Sequence, residues 1–437
     1  MNSAGSAATA TWTSLPYHRS WLLNQATSLF DFFEPHTIDP AGGFYLLDDR
    51  GRPIVRSAKT GKAPARPLHA TARMVHCFAI AQLLGRPGAK RFIDHGMDFL
   101  WNGHRDRVHG GYVWSVGKDG PGDDRKQAYG HAFVLLAASS AKVVGHPDAD
   151  RLLANVSEVL LARFWESEVG AAAEEFEREW SPIGRYRGQN SNMHLTEACM
   201  AAFEATGDKS WLDKAESIAT LVIGKCAAVL GGRVPEHFNE NWEIDRDYVG
   251  DEVFRPFGMT PGHWLEWTRL LLQLWETGGR RLSWLTDAAK TLFAHAAAEG
   301  WDNAHGGFYY TLDWASRPRL RRRLWWPAAE GIGAAAFLNA VDGSPQYEAW
   351  YRRVWDFIAD QLIDREFGGW RSEAFDPAEP TAPFFEGRPD LYHALQACLI
   401  PLLSTSGSIT RTLATTGLGW NAAPALRCGQ DAETSVK

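Results

Sequence analysis

A glycine pair followed by aromatic or apolar residues recurs through this chain. It stands at Gly42-Gly43-Phe44-Tyr45, Gly110-Gly111-Tyr112-Val113-Trp114, Gly231-Gly232-Arg233-Val234, Gly306-Gly307-Phe308-Tyr309-Tyr310 and Gly368-Gly369-Trp370. Most intervals are about 60 to 75 residues and one is close to twice that, as an internal repeat with one degenerate copy would give. The missing copy belongs near Val169-Gly170, ahead of Glu175-Phe176-Glu177, and six copies then fill the 437 residues. Length alone would suggest about three domains, but a repeat overrides that expectation. No single unit can bury its apolar face by itself, so neighbouring units must stack on one another.

Between the glycine pairs lie two kinds of helical pattern. Residues 68–84, 129–143, 193–206, 263–275, 328–340 and 393–403 are apolar nearly all round, as buried helices are. Residues 211–222, 281–298 and 346–363 alternate with them and carry their charges on one face. The glycine pairs read as short β-like turns from an outer helix to the next inner one. Six inner helices ringed by six outer helices make an all-α (α/α)6 barrel, or toroid, with short β-like hairpins in its loops. An open superhelix of helix pairs would need no uniformly buried inner set. Residues 1–14 read as a disordered lead and 15–403 as a single barrel domain. Residues 404–437, rich in Ser, Thr, Gly and Ala and without helical periodicity, read as a tail.

Composition narrows the ligand class. The net charge of −7 is mild and provides no basic stripe for nucleic acid. Arg321-Arg322-Arg323 is the one basic cluster and reads as a solvated loop. No stretch reaches the roughly 18 consecutive apolar residues of a membrane span, and the first residues lack a signal-peptide pattern. The five scattered cysteines show no C-x-x-C spacing and suit a reducing cytoplasm. P-loop, dinucleotide fingerprint, nucleophile elbow and paired-histidine metal spacings are all absent, so neither a cofactor nor a metal is expected. Twenty Trp residues raise carbohydrate as a ligand, because indole faces stack on sugar C–H surfaces.

Three inner helices start with a histidine, in Asn190-Ser191-Asn192-Met193-His194, Pro261-Gly262-His263-Trp264-Leu265-Glu266-Trp267 and Pro389-Asp390-Leu391-Tyr392-His393. Helix starts leave N–H groups unpaired and can project side chains into a cavity. The polar heads of all six inner helices are therefore expected at one mouth. They are Arg73 and His76, His131, Asn190 and His194, His263 and Glu266, Glu330 after Trp325-Trp326-Pro327, and His393. Loops would add Tyr129, Arg187, Glu236, Asn241, Trp242, Arg255 and Trp370. Glu266, three residues after His263 on the same helical face, could orient that ring, while the helix N-terminus disfavours imidazolium. A neutral imidazole suits a general base. His76 and His131 are weaker candidates, and His95, His104, His146, His295 and His305 read as structural or surface residues. His36, His69 and His109 carry no argument.

Paired acids among Glu330, Glu266 and Glu236 would suit a glycoside hydrolase, but three histidines exceed what one needs. A non-catalytic sugar-binding toroid would leave them redundant. Neutral histidines with an arginine, carboxylates and indoles suit proton abstraction beside a carbonyl, with a donor to stabilise the ene-diolate oxygen. An open-chain sugar presents that chemistry at C2.

These residues resemble the N-acylglucosamine 2-epimerase superfamily of (α/α)6 epimerases and aldose–ketose isomerases, over roughly residues 20 to 403. The resemblance rests on Ala72-Arg73-Met74-Val75-His76, the three histidine segments, Arg255-Pro256-Phe257-Gly258 and Trp325-Trp326-Pro327-Ala328-Ala329-Glu330. It is nearest to the mannose isomerase and sulfoquinovose isomerase branch. The resemblance implies that His263 and His393 are the acid/base pair and that His194 aids ring binding or opening. It also implies that Arg73, Asn190, Glu266 and Glu330 hold substrate hydroxyls or orient the bases. Arg255, Trp326 and Trp370 complete the expected binding set.

Pro389 stands where sulfoquinovose isomerases of that branch carry Gln, which favours a neutral hexose. Arg371 follows Trp370 where mannose isomerases of the branch commonly carry His, and would put a cation near the mouth. The expected activity is a metal-independent isomerisation of D-mannose, or an analogue such as lyxose, to D-fructose through a cis-ene-diol. The alternatives are a 2-epimerase of the N-acylglucosamine or cellobiose type and a sulfoquinovose isomerase. The expected partner is a monosaccharide, with no nucleic acid or membrane, for a monomer or homodimer.

Overall fold

A computed structural model describes residues 10–118, 120–375, 383–403 and 407–418. Six inner helices form a ring: α2 (Leu68–Leu83), α4 (Ala128–Val143), α6 (Gln189–Thr206), α8 (Pro261–Thr277), α10 (Trp325–Asp342) and α12 (Tyr392–Leu399). Each packs on the next, and α12 closes the ring against α2. Outside them lie α1 (Pro16–Phe33), α3 (Ala89–Phe99), α5 (Ala149–Val159), α7 (Lys209–Ala219), α9 (Trp284–His295) and α11 (Pro345–Phe357). This is the (α/α)6 toroid that the repeat predicts. Among the described residues no helix is long and apolar enough to cross a membrane.

The two helix sets differ in sequence because they differ in environment. All eight residues of α12 are buried, and α4 is buried from Ala128 through Ala141. The outer α7 instead buries only the stripe of Trp211, Leu212, Ala215, Ile218 and Ala219. Pro261 opens α8, where a missing N–H costs nothing. Gly207 and Gly343 close α6 and α10 in the left-handed conformation.

The glycine pairs sit where expected. Both members of all five pairs have positive φ, and so does Gly170, the degenerate copy. They turn antiparallel bridges such as Arg105 with Tyr112, Trp301 with Phe308 and Ile363 with Trp370. The returning strand of each hairpin then bonds to the lead-in of an inner helix. Leu68 N–H donates to the Trp114 carbonyl at 2.8 Å, Ala128 to Glu174 at 2.8 Å, Gln189 to Glu236 at 3.2 Å and Trp325 to Ser372 at 3.1 Å. Met259 and Leu312 exchange two such bonds, and Arg388 N–H donates to the Leu47 carbonyl at 2.8 Å, joining the last unit to the first. This belt of main-chain bonds fixes the hairpins to the helix N-termini at one end of the barrel.

Two regions depart from the sequence reading. Within the stretch read as a tail without helical periodicity, Ile409–Thr416 forms α13, with the Ser408 side chain accepting from Arg411 N–H. It lies against α2, α4 and α6. Residues 404–406 and 419–437, Cys428 included, and residues 1–9 fall outside the described residues. The Arg321-Arg322-Arg323 cluster is not a solvated loop. Arg323 is buried, Arg322 pairs with Glu373 at 2.8 Å, and Arg321 lies over the Tyr309 ring.

A Cβ on Gly307 would meet Phe357 Cζ at 2.5 Å, at φ +83°, whereas one on Gly85, at φ +80°, would meet nothing. Gly85→Ala should therefore cost about 1–2 kcal/mol from left-handed strain alone. Gly307→Ala should cost about 2–5 kcal/mol because overpacking is added. Chemical denaturation of both variants separates the terms, and equal losses would contradict the packing role of the pair.

Candidate active site

The N-terminal ends of the inner helices surround a cavity of about 440 Å³. Of the sequence candidates it is lined by Arg73, Tyr129, Asn190, His194, His263, Glu266, Trp326 and His393. Glu330 and Glu236 stand behind the histidines and do not line it.

His263 gives its Nδ1 to Glu236, whose two carboxylate oxygens both lie 2.9 Å away. The Gln189 amide nitrogen is 2.9 Å from Glu236 Oε2 and from the same Nδ1. Trp267 Nε1–H donates to Gln189 Oε1 at 2.8 Å, which turns the amide N–H2 toward Glu236. The tautomer is thereby set: Nδ1–H faces the carboxylate and Nε2 is left for the cavity. The expected partner of His263, Glu266, is not the one it uses. A carboxylate from the hairpin before α8 reaches Nδ1, while Glu266, on the same helix, lies 3.6 Å from His194 Nδ1 and 3.5 Å from Arg269 Nη2.

His393 is held in a parallel way from a different element. Its Nδ1 donates to Glu330 Oε1 at 2.8 Å, and Glu330 Oε2 accepts from Arg269 Nε at 2.9 Å. The Trp326 ring lies between the two imidazoles, with centroids 4.9 Å from His263 and 5.9 Å from His393. Burial lowers the His393 pKa against the opposing pull of Glu330. Burial also raises the carboxyls of Glu330 and Glu236, but Arg269 and His393 pull Glu330 below its ordinary value, and His263 and Gln189 do the same for Glu236.

His194 packs edge-on to Tyr129 at 5.0 Å and against Phe133 at 4.7 Å, and its Nδ1 has no hydrogen-bond partner. Burial pushes its pKa down to about 3, so it is neutral across the working range. Arg73 donates to Asp390 and to the Tyr129 hydroxyl, each at 2.9 Å, between the faces of Phe133 and Tyr392. Asn190 leaves its buried Oδ1 unpaired beside the cavity.

Several candidates stand elsewhere. Arg255 is paired bidentately with Glu175 at 2.9 and 3.0 Å over the Tyr186 ring. It lines an adjoining cavity of about 330 Å³ instead of the main one. Trp370 is buried against Trp355, with ring centroids 6.0 Å apart, and does not line the main cavity. Arg371 pairs with Asp364 at 3.4 Å and does not line it either. Arg187 is bound to Glu166, and Asn241 and Trp242 belong to a turn outside both cavities. His76 and His131 are held by Ser140 and by main-chain atoms of Gln127 and Tyr112.

Sequence reasoning missed His69, a cavity-lining ring stacked on Trp114 at 5.1 Å. It also missed Gln189, Glu197 and Arg269 as supports. The repeat holds the signal for Glu236. Its carbonyl takes the inner-helix N–H in the same way as those of Trp114, Glu174 and Ser372.

Two groups bring metal-capable atoms within 4.8 Å of one another, His194 with Glu197 and Glu266, and Glu266 with Glu330 and His393. Arg269 already compensates Glu197 and Glu330, at 3.3 and 2.9 Å, and Tyr392 O–H donates to Glu197. A guanidinium thus supplies the positive charge that a cation would bring, and the donor set reads as an ion-pair network.

The toroid thus brings two carboxylate-backed imidazoles to one cavity, an arrangement that can accept and return protons. The profile of the N-acylglucosamine 2-epimerase (GlcNAc 2-epimerase) family matches residues 55–397, and the chain belongs to that family. It is 44% identical over 414 residues to a D-mannose isomerase of Pseudomonas cannabina pv. alisalensis, covering 93% of this chain and 97% of that protein. It is 42% identical over 415 residues to a D-mannose isomerase of Thermobifida fusca, covering 93% and 99%. A crystal structure of D-mannose isomerase superposes with a TM-score of 0.81 at 30% identity, covering 89% of this chain and 99% of that one. The chain is an enzyme of the isomerase class.

The buried imidazoles make stability depend on pH. Burial holds His69, His131 and His194 down to about 3, and His76 and His104 to about 4. The unfolded chain, with histidines near 6.5, binds more protons in the interval, so stability is full above about pH 6.5 and is lost as pH falls toward 4. The melting temperature should drop by on the order of 5 °C per pH unit from pH 6.5 downward. A flat profile between pH 6.5 and 5 would contradict neutral burial of these rings.

Proposed function

We propose that the protein is a mannose aldose–ketose isomerase that interconverts D-mannose and D-fructose by histidine-mediated proton transfer. The observation that carries this reading is the pair His263 and His393. Each has Nδ1 tied to a carboxylate, leaving Nε2 for the cavity, and they flank one indole. The kinship with D-mannose isomerases supports the choice of sugar.

In the proposed reaction one imidazole takes the C2 proton of the open-chain aldose. The C2–H electron pair becomes the C1=C2 bond, and the carbonyl pair moves onto O1. The imidazolium then returns a proton to C1 while the O2–H proton passes to O1 and C2 becomes the carbonyl. Atoms and charge balance without a redox partner. A neutral imidazole backed by a carboxylate gains basicity as the ring charges, which lowers the barrier in both directions. A glycosidase reading is disfavoured because Glu236 and Glu330 are spent on the histidines behind the cavity wall.

Incubation with mannose in D2O, followed by NMR, tests the reading. Deuterium at C1 of fructose is the expected outcome. Deuterium at C2 of glucose or mannose would mean epimerisation, and no exchange with any common hexose would sink the neutral-sugar reading. His263→Asn and His393→Asn should each lower kcat by about 10²–10⁴ with circular dichroism unchanged. Near-normal turnover in either variant would remove that residue from the pair.

A further inference from the structure

Three carboxylates meet at the floor of the cavity, and one guanidinium serves them. Glu330 takes Arg269 Nε at 2.9 Å and Glu197 takes Nη1 at 3.3 Å. Glu266 is 3.5 Å from Nη2, and neither of its oxygens has a hydrogen-bond partner. The other nearby cation, Arg73, is committed to Asp390 and Tyr129. His194, 3.6 Å away, is neutral. Glu266 is 1% exposed, yet it lines the cavity.

An ionised carboxylate in that position would be buried with no donor closer than Arg269 Nη2 at 3.5 Å, a guanidinium whose charge is already shared with two other carboxylates. Such a site favours the neutral acid strongly. We propose that Glu266 enters the reaction as a neutral carboxylic acid and donates the hydrogen bond that holds the negative oxygen of the ene-diolate. The proposal rests on the isomerase reading above and names the donor that the reading leaves open. Burial is the largest effect on Glu266 and raises its pKa far above the carboxylate range. The charge of Glu330 adds to this, Glu197 adds further, and Arg269 and Arg73 oppose it incompletely.

The chemistry asks for such a group. As the base removes the C2 proton, charge collects on O1, and a fixed donor there is worth more in the transition state than in the ground state. A carboxylic acid donates without giving up its proton, so the carbon-centred transfers stay with imidazole. The acid O–H has no protein acceptor within hydrogen-bond distance to compete with the sugar oxygen, the unpaired His194 Nδ1 being 3.6 Å away.

Infrared difference spectroscopy of the sugar-free protein and turnover of two variants test the assignment. A carboxylic C=O band at pH 7 that shifts in D2O and disappears in Glu266→Gln is expected. If Glu266→Gln removes no such band, the residue is ionised and the proposal is overturned. The amide still donates, so Glu266→Gln should keep kcat within about tenfold of the wild type, while Glu266→Ala should lose about 10²–10³. Equal losses in the two variants would overturn the donor role, because an acceptor would then be what the reaction needs. If Glu266→Ala proves unfolded, Glu266→Leu fills the volume and is compared instead. Failure of the isomerase reading is separate, since it appears as absent exchange by the wild type whatever the infrared band shows.

Discussion

The guanidinium of Arg269 is the centre on which the active end of the barrel depends. It is 2% exposed and reaches Glu330, Glu197 and the vicinity of Glu266, so it ties α6, α8 and α10 together beneath the cavity. Burying a charge is expensive unless it is paired and hydrogen-bonded, and removing one partner of such a pair costs about 3–5 kcal/mol. An apolar plug of similar volume could hold three helices together as well or better. What the ions add is direction. Glu330 is aimed at His393, and Glu197 receives the Tyr392 hydroxyl, so α12 is keyed into the same network.

The two histidines are held alike but not compensated alike. Glu330 shares its charge with Arg269, whereas the hydrogen bonds of Glu236 are to His263 and the neutral Gln189 amide. The difference follows from where each carboxylate comes from. Glu330 is carried on an inner helix and faces the charged floor. Glu236 is on a returning hairpin strand, pinned by its carbonyl to Gln189 N–H at 3.2 Å. One chemical pair is thus supported in two ways at one cavity, by an ion-paired carboxylate behind His393 and by an amide-bonded one behind His263.

Much of this was legible in the sequence, and the legible part is that which periodicity controls. The glycine pairs read as turns and have positive φ, and the helices read as apolar all round form the inner ring. Arg73, Asn190, His194, His263, Trp326 and His393 reached the cavity because helix starts bring side chains there. The misreadings came from contacts made across the ring. Glu266 was paired with His263 by i, i+3 proximity, but a neighbouring hairpin supplies Glu236 at 2.9 Å and frees Glu266 for another place. Arg255 looked available until Glu175, 80 positions earlier, took both of its terminal nitrogens. No local spacing encodes either pairing. The equivalence of hairpin positions comes closer, since Glu236 takes the same main-chain bond as Glu174.

The architecture also explains why neutral imidazoles and a proposed negative intermediate can share one cavity. Inner helices point N-termini at it, each with partial positive charge from unpaired N–H groups. That field and burial act in the same direction on a histidine: both resist imidazolium and keep the ring ready to accept a proton. The same field favours an oxyanion that forms later. A site that charged its bases in advance with free carboxylates would lose this, because it would repel the ene-diolate. The barrel instead places Glu236 and Glu330 behind the rings, where each meets its imidazole at Nδ1, and leaves Glu266 at the cavity surface with neither oxygen hydrogen-bonded. Toroid, helix polarity and buried ion network are therefore parts of a single electrostatic arrangement, in which Arg269 hydrogen-bonds Glu330 and Glu197 and stays 3.5 Å from Glu266.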